Sequence, residues 1–219
     1  MIRLNQEGKE VLFVGGTGLY MEALIYPMEM GRVEAQPEVR ERLRAVGETP
    51  GGAERLHAYL AEIDPVTAAK LPIQDLRRTI RAIEVYETTG QPISSQWARE
   101  ADSAFEWTIA ATRMKRETLY DRINGRVTRM MREGLEAEVR RLLGEGVPET
   151  AQSMSGIGYK EMIPVIREEY DAETAADLIR LHTRHYAKRQ ETFLRRESRV
   201  QYIDVDQPDA YAKLKDTMK

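Results

Sequence analysis

The chain has 219 residues, 42% of them hydrophobic, 32% charged and 7% aromatic, with a formal net charge of −3 and no cysteine. That length can bury one good core or two small ones. The missing cysteine excludes disulfides, thiolate chemistry and Cys-ligated zinc. The net charge gives no global reason to expect nucleic acid, so charge has to be read locally. His57, His182 and His185 are scattered and make a poor metal site, no apolar run approaches a membrane span, and no signal peptide is visible. A soluble, cytoplasmic protein is expected, with no membrane contact.

In chain order, the apolar run Val11–Val14 predicts one short buried strand, and Gly15-Gly16-Thr17-Gly18 follows it directly. Leu19, Tyr20, Ala23 and Leu24 share a face and predict a helix from Thr17 to about Tyr26. After a loop from Pro27 to Pro37, short helices are predicted over Pro37–Ala45, Ala53–Ile63 and Pro65–Leu71. A stronger one, DLRRTIRAIEVYETTG, has Asp75 as N-cap and Gly90 as its stop. PISSQW opens a further short helix, and FEWTIAATRM is β-branched and aromatic enough for a strand. Helices follow over Thr118–Arg132, Leu135–Leu143 and Ile157–Glu169, then a long one capped by Asp171 and running to about Glu197, and VQYIDV is a late strand.

Three strands far apart in sequence cannot complete a sheet, yet their apolar runs look like central strands of a parallel one. The pattern predicts a predominantly helical α/β fold that resembles the later part of an α/β domain without its first βα units. A helical segment, 32–103, interrupts the core formed by 1–31 and 104–219.

The glycine loop fits a dinucleotide fingerprint poorly. Position 21 is Met where a third glycine is wanted, and no acidic residue closes a second strand. No Gly-Lys-Ser/Thr of a Walker loop occurs anywhere. Two readings stay open: a tight strand-to-helix turn that needs glycine for positive φ, or free N–H groups and the Thr17 hydroxyl at a helix N-terminus suited to an anion.

Three helices carry basic faces: Arg77 and Arg81 on the first; Arg122, Arg126 and Arg129 on the second; Arg184, Lys188 and Arg195 on the third. Any one of them could be a solvated face laced with i,i+4 pairs. From His182 to Arg196, however, there are five Lys/Arg and one acid, Glu191, and Gln190 falls among Ile179, Tyr186 and Phe193 on the apolar side. A basic face, aromatics and a placed amide suit a polyanion whose bases or sugars are read.

The ordered set VGGTGLY, PEVR, DLRRTIRAIEVYETTG, GIGYKE, TRHYAKRQETFLRRE and IDV, spread from about Val11 to Asp206, resembles the tRNA dimethylallyltransferase (tRNA isopentenyltransferase) family. The resemblance implies transfer of a dimethylallyl group from its diphosphate to N6 of the adenosine on the 3′ side of the anticodon. It also implies a P-loop-like α/β core with a helical insertion, a Mg²⁺ cofactor, the tRNA anticodon stem-loop and dimethylallyl diphosphate as partners, and a monomer. The family's P-loop and its Asp-Ser-x-Gln segment, which carries the general base, are not in this sequence, so the chain reads as N-terminally truncated, with the Mg²⁺ site mainly in the missing part. Ile73-Gln74 stands where the family often has Pro-Asn, and Phe193-Leu194 replaces its usual Trp with Phe or Leu.

The resemblance also implies roles for particular residues. Gly15, Gly16, Thr17 and Tyr20 form the wall where the acceptor adenine enters, with Thr17 touching tRNA at the catalytic centre. Arg122 and Arg126 approach the diphosphate. Arg40, Arg77, Arg78 and Arg81 contact tRNA. So do Ser155, Gly156, Gly158, Tyr159 and Lys160, and Arg184, Lys188, Arg189, Gln190, Thr192 and Arg195. None of them is a metal ligand. Two alternatives are a non-catalytic tRNA-binding fragment and an NAD(P)-dependent reductase. The latter needs Tyr-x-x-x-Lys, and Tyr186-Ala-Lys188 and Tyr211-Ala-Lys213 have the wrong spacing.

Overall fold

Among the described residues, Asp64, Asp75 and Asp171 start helices with side-chain caps. The computed structural model describes residues 2–26, 34–96 and 105–218, and they divide into two units, Met1–Trp107 and Thr108–Lys219. Both expected limits of the insertion, 31/32 and 103/104, lie outside the described residues.

The first unit contains helices α1 (Ile2–Gln6), α2 (Gly18–Ile25), α3 (Pro37–Gly47), α4 (Gly52–Ile63), α5 (Pro65–Ala68) and α6 (Leu76–Thr89), then a 3₁₀ turn at Ile93–Gln96. Pro37 and Pro65 open α3 and α5, where the missing N–H has no helical partner to lose. The Asp75 carboxylate accepts the Arg78 N–H at 3.2 Å, and Gly90 stops α6 at φ 70°, a left-handed conformation that favours glycine. Leu43, Leu56, Leu60, Ala68, Ala82 and Ile83 form the core of α3 to α6. Asp64, fully buried, ties α5 to the 3₁₀ turn by accepting from Thr67 N (2.9 Å), Thr67 Oγ1 (2.7 Å) and Ser94 N (2.9 Å). Burial pushes its carboxyl pKa up, but the hydrogen bonds from Ser94 and Thr67 outweigh burial and hold it below the ordinary value.

The second unit contains β1 (Ile109–Arg113), α7 (Arg116–Arg132), α8 (Leu135–Gly144), α9 (Tyr159–Ile166), α10 (Ala172–Leu194), β2 (Val200–Asp204) and α11 (Ala210–Thr217). β1 and β2 are parallel, with Ile109 opposite Val200 and Arg113 opposite Asp204. Four helices make the long crossover that a parallel pair needs. The amphipathic faces of α7 to α10 close around Val127, Leu135, Val139, Met154, Met162, Ala175 and Ile179. The helical α/β class is as predicted, with two of the three predicted strands present.

The third is a correction. Residues 9–17 have no regular structure, and Val11, Leu12 and Val14 are exposed, Val14 at 88%. A central parallel strand needs hydrogen-bonded neighbours on both sides, and among the described residues β1 and β2 pair with each other only. Phe13 instead approaches Trp107, ring centroids 6.1 Å apart. The strand predicted in FEWTIAATRM begins only at Ile109. Helix α11 was not foreseen: it is two turns long and buries no residue, so it leaves little pattern in the sequence.

Candidate nucleic-acid interface

Arg40 of α3 and Arg81 of α6 converge on one carboxylate. Glu84, at 0% exposure, accepts Arg40 Nε at 2.8 Å and Gln36 N at 2.7 Å on Oε1, and Arg40 Nη2 at 3.0 Å and Arg81 Nη1 at 2.7 Å on Oε2. Burial pushes the Glu84 pKa up, but the hydrogen bonds from Arg40, Arg81 and Gln36 outweigh it and hold the group ionised below its ordinary range. The sequence reading set Arg77 and Arg81 on one basic face. The structure separates them: Arg81 is drawn one turn along α6 to Glu84, while Arg77 is exposed without an ion pair among the described residues. Arg78 lies 3.2 Å from Asp75.

On α7, the buried Ile123 and Val127 turn Arg122, Arg126 and Arg129 to solvent, where none of the three has an ion pair among the described residues. This stripe agrees with the sequence pattern.

The Ser155–Lys160 loop is anchored by Glu161. Its buried carboxylate accepts Gly158 N at 2.7 Å, lies 2.6 Å from His182 Nδ1 of α10, and is 3.5 Å from Lys160 Nζ. Gly158 sits at φ 109°, closed to most side chains, with its position facing Met130 and Leu135. Tyr159 donates its hydroxyl to Glu138 at 2.6 Å, and the Ser155 hydroxyl bonds Gln152 O at 2.7 Å. Ser155, Gly156 and Lys160 are exposed.

Helix α10 splits the residues predicted to share a face. Lys188, Arg189 and Thr192 line an open groove of about 260 Å³ with Phe193 and Arg196. Arg184 is not on that free surface. Its Nη2 donates to Asn124 Oδ1 of α7 at 2.8 Å, its guanidinium lies 4.9 Å from the Tyr120 ring centroid, and its Nε is buried without a hydrogen-bond partner among the described residues. The packing of α10 on α7 claims this arginine. Arg195 pairs with Glu191, and Gln190 is half-buried.

Gly15, Gly16, Thr17 and Tyr20 are all exposed, Tyr20 at 65%. Thr17 is the N-cap of α2 in extended conformation, with no side-chain capping bond. The positive-φ reading of this loop is corrected: neither Gly15, Gly16 nor Gly18 has a positive φ, and a Cβ at Gly15 would meet nothing within 4 Å.

Sequence reasoning passed over Glu84, Glu161, Asn124 and Tyr120. A signal existed for Glu84, an acid inside the apolar run Ala82-Ile83-Glu84-Val85 on the buried side of its helix. A buried carboxylate there requires partners.

The chain matches the family described as IPP transferase over residues 1–197. It is 39% identical to the tRNA dimethylallyltransferase of Natranaerobius thermophilus over 209 residues, 94% of this chain and 63% of that protein. With that of Carboxydothermus hydrogenoformans it shares 41% over 203 residues, 92% of this chain and 65% of the relative. The chain thus spans less than two thirds of the length of these relatives. The full-length tRNA isopentenylpyrophosphate transferase of Bacillus halodurans superposes with a TM-score of 0.62 at 33% identity, covering 99% of this chain and 67% of that one. A eukaryotic dimethylallyltransferase acting on tRNA gives 0.70 at 23% identity, over 98% of this chain and 57% of that one, a likeness of fold alone. With its helical α/β architecture and a match over residues 1–197, this chain belongs to the IPP transferase family.

Proposed function

We propose that this chain carries the tRNA-facing part of a tRNA dimethylallyltransferase, which moves a dimethylallyl group from dimethylallyl diphosphate to N6 of the adenosine next to the anticodon. The observation that carries the reading is the set of exposed cations on α7 and α10, Arg122, Arg126 and Lys188, none with an ion pair among the described residues, in a chain of this family. An anticodon stem-loop supplies the phosphates, and the acceptor base, stacked in its loop, has to be extruded before its exocyclic amine can attack. The attack expels diphosphate, whose growing charge Arg122 and Arg126 neutralise. Gly15 to Tyr20 wall the base, and Thr17 holds it by hydrogen bonding.

In this reading 1–31 and 104–219 form a P-loop-like core and 32–103 an insertion, and the protein acts as a cytoplasmic monomer. Mg²⁺ belongs to the proposed reaction. Among the described residues no group of three or more His, Asp or Glu could hold a metal. The 219 residues contain no Gly-x-x-x-x-Gly-Lys-Ser/Thr sequence, so binding and turnover are proposed to separate in this chain.

Incubation with unmodified tRNA, dimethylallyl diphosphate and Mg²⁺, read by filter binding and by mass spectrometry of nucleosides, tests both parts. Binding without prenylation is expected. Robust prenylation overturns the separation, and failure to bind tRNA overturns the substrate.

A further inference from the structure

The buried carboxylate of Glu161 gathers three partners, and one of them, His182, has a ring nitrogen left over. Glu161 Oε1 lies 2.6 Å from His182 Nδ1 and 3.5 Å from Lys160 Nζ, while Oε2 accepts Gly158 N at 2.7 Å. A carboxylate only accepts, so Nδ1 is the nitrogen that donates, and the imidazole is held in one orientation. The other nitrogen, Nε2, has no hydrogen-bond partner among the described residues, and unlike Arg184 Nε it is not buried. The side chains of His182 and Lys160 are 35% and 43% exposed, over a carboxylate at 3%. The anion is therefore inside, and an oriented imidazole and an ammonium stand beside each other outside it.

Helical spacing sets His182 on the stripe of α10 that carries Arg189 two turns on and Phe193 three turns on, both lining the groove. A polyanion laid in that groove and continued along the stripe for about 10 Å reaches His182. A ribose 2′-hydroxyl both donates and accepts, so it pairs with Nε2 whether or not that nitrogen carries a proton. A phosphate oxygen only accepts, and it suits the Lys160 ammonium, a point charge with three donors. In RNA the two groups are neighbours along one strand.

We propose that His182 meets a ribose 2′-hydroxyl of bound RNA through Nε2, with Lys160 on an adjoining backbone phosphate. This contact rests on the reading of the chain as a tRNA-binding protein and adds to it a means of telling RNA from DNA. A purely structural bond between Glu161 and His182 would hold α9 to α10 and be indifferent to the sugar.

The test uses the whole chain and a fluorescein-labelled anticodon stem-loop RNA, unmodified or with single 2′-deoxy nucleotides placed in turn along it. One deoxy position is expected to weaken binding by about two- to tenfold, the range of one hydrogen bond. His182→Asn keeps an amide donor near the position of Nδ1 for Glu161 and lacks the outer nitrogen. It is expected to bind unmodified RNA more weakly by the same factor and to lose nothing further at that deoxy position, as two changes to one contact do. Lys160→Ala is expected to keep the deoxy penalty and to lower the slope of log affinity against log salt by about 0.7. Thermal melting accompanies each variant. If His182→Asn does not fold, NMR of the imidazole nitrogens in the unchanged chain decides: Nε2 of His182 should shift on binding unmodified RNA and stay in place with the deoxy RNA.

Equal affinity across the whole deoxy series, or a penalty that His182→Asn leaves in place at every position, overturns the hydroxyl contact. So does an Nε2 resonance that responds alike to both RNAs. An unchanged salt slope in Lys160→Ala overturns the phosphate contact. If the unchanged chain binds no RNA, the tRNA reading falls together with the hydroxyl contact, and that outcome is distinct from the others.

Discussion

Replacing Arg184 by alanine should damage stability and spare the electrostatics of RNA binding, the reverse of what its place in a basic sequence motif predicts. Its hydrogen bond to Asn124, at 2.8 Å, is charge-assisted and contributes about 1.5–3 kcal/mol. Its contact with Tyr120, at 4.9 Å, adds about 0.5–2 kcal/mol. The buried Nε without a partner costs about 1–3 kcal/mol, which the truncation relieves. The first two exceed the third by about 1–2 kcal/mol, so Arg184→Ala should melt about 2–8 °C lower. The salt slope of RNA binding should stay where it was. Lys188→Ala is the control on the same helix: exposed and without an acidic partner among the described residues, it should leave the melt unchanged and lower the slope by about 0.7–0.9. Thermal melts and binding titrations at several KCl concentrations read both. An Arg184→Ala protein that melts like the unchanged chain while its slope flattens would refute the assignment and return this arginine to the free basic surface.

The first unit should lose stability in acid. Glu84 and Asp64 both have folded pKa values depressed below their unfolded ones, so their contribution is present above the unfolded carboxylate range and is lost as pH falls through the folded values. Melting temperature should fall steeply below about pH 4, and Glu84→Gln should flatten that fall. Truncating Met162, fully buried in the core of the second unit, should cost about 2–5 kcal/mol in urea unfolding, whereas Val14→Lys should change stability by less than about 0.5 kcal/mol. A large cost at Val14 would show that the 9–17 segment packs after all.

Elements that depend on neighbours in sequence were legible. Asp75, Gly90, Gly134 and Asp171 mark helix ends by local capping chemistry, and they fall where the structure has them. The strand at Val11–Val14 was not decided locally, because an apolar run becomes a strand only when another strand supplies hydrogen bonds. The site was legible to the same extent. The stripe Arg122, Arg126 and Arg129 follows from helical periodicity against Ile123 and Val127. The bonds of Arg40 to Glu84 and of Arg184 to Asn124 span 44 and 60 positions, and no spacing rule reaches that far.

Those long-range bonds change how the positive charge of this chain is to be counted. Arg40, Arg78, Arg81, Arg184 and Arg195 stand in motifs that read as basic, yet each has a polar partner within its own unit. Arg77, Arg122, Arg126 and Lys188 have no ion pair among the described residues. A polyanion gains most from cations that carry no competing carboxylate, since a contact that releases a counterion without breaking an ion pair has nothing to repay. The start of α6, the stripe of α7 and the groove of α10 should therefore dominate the salt dependence of RNA binding.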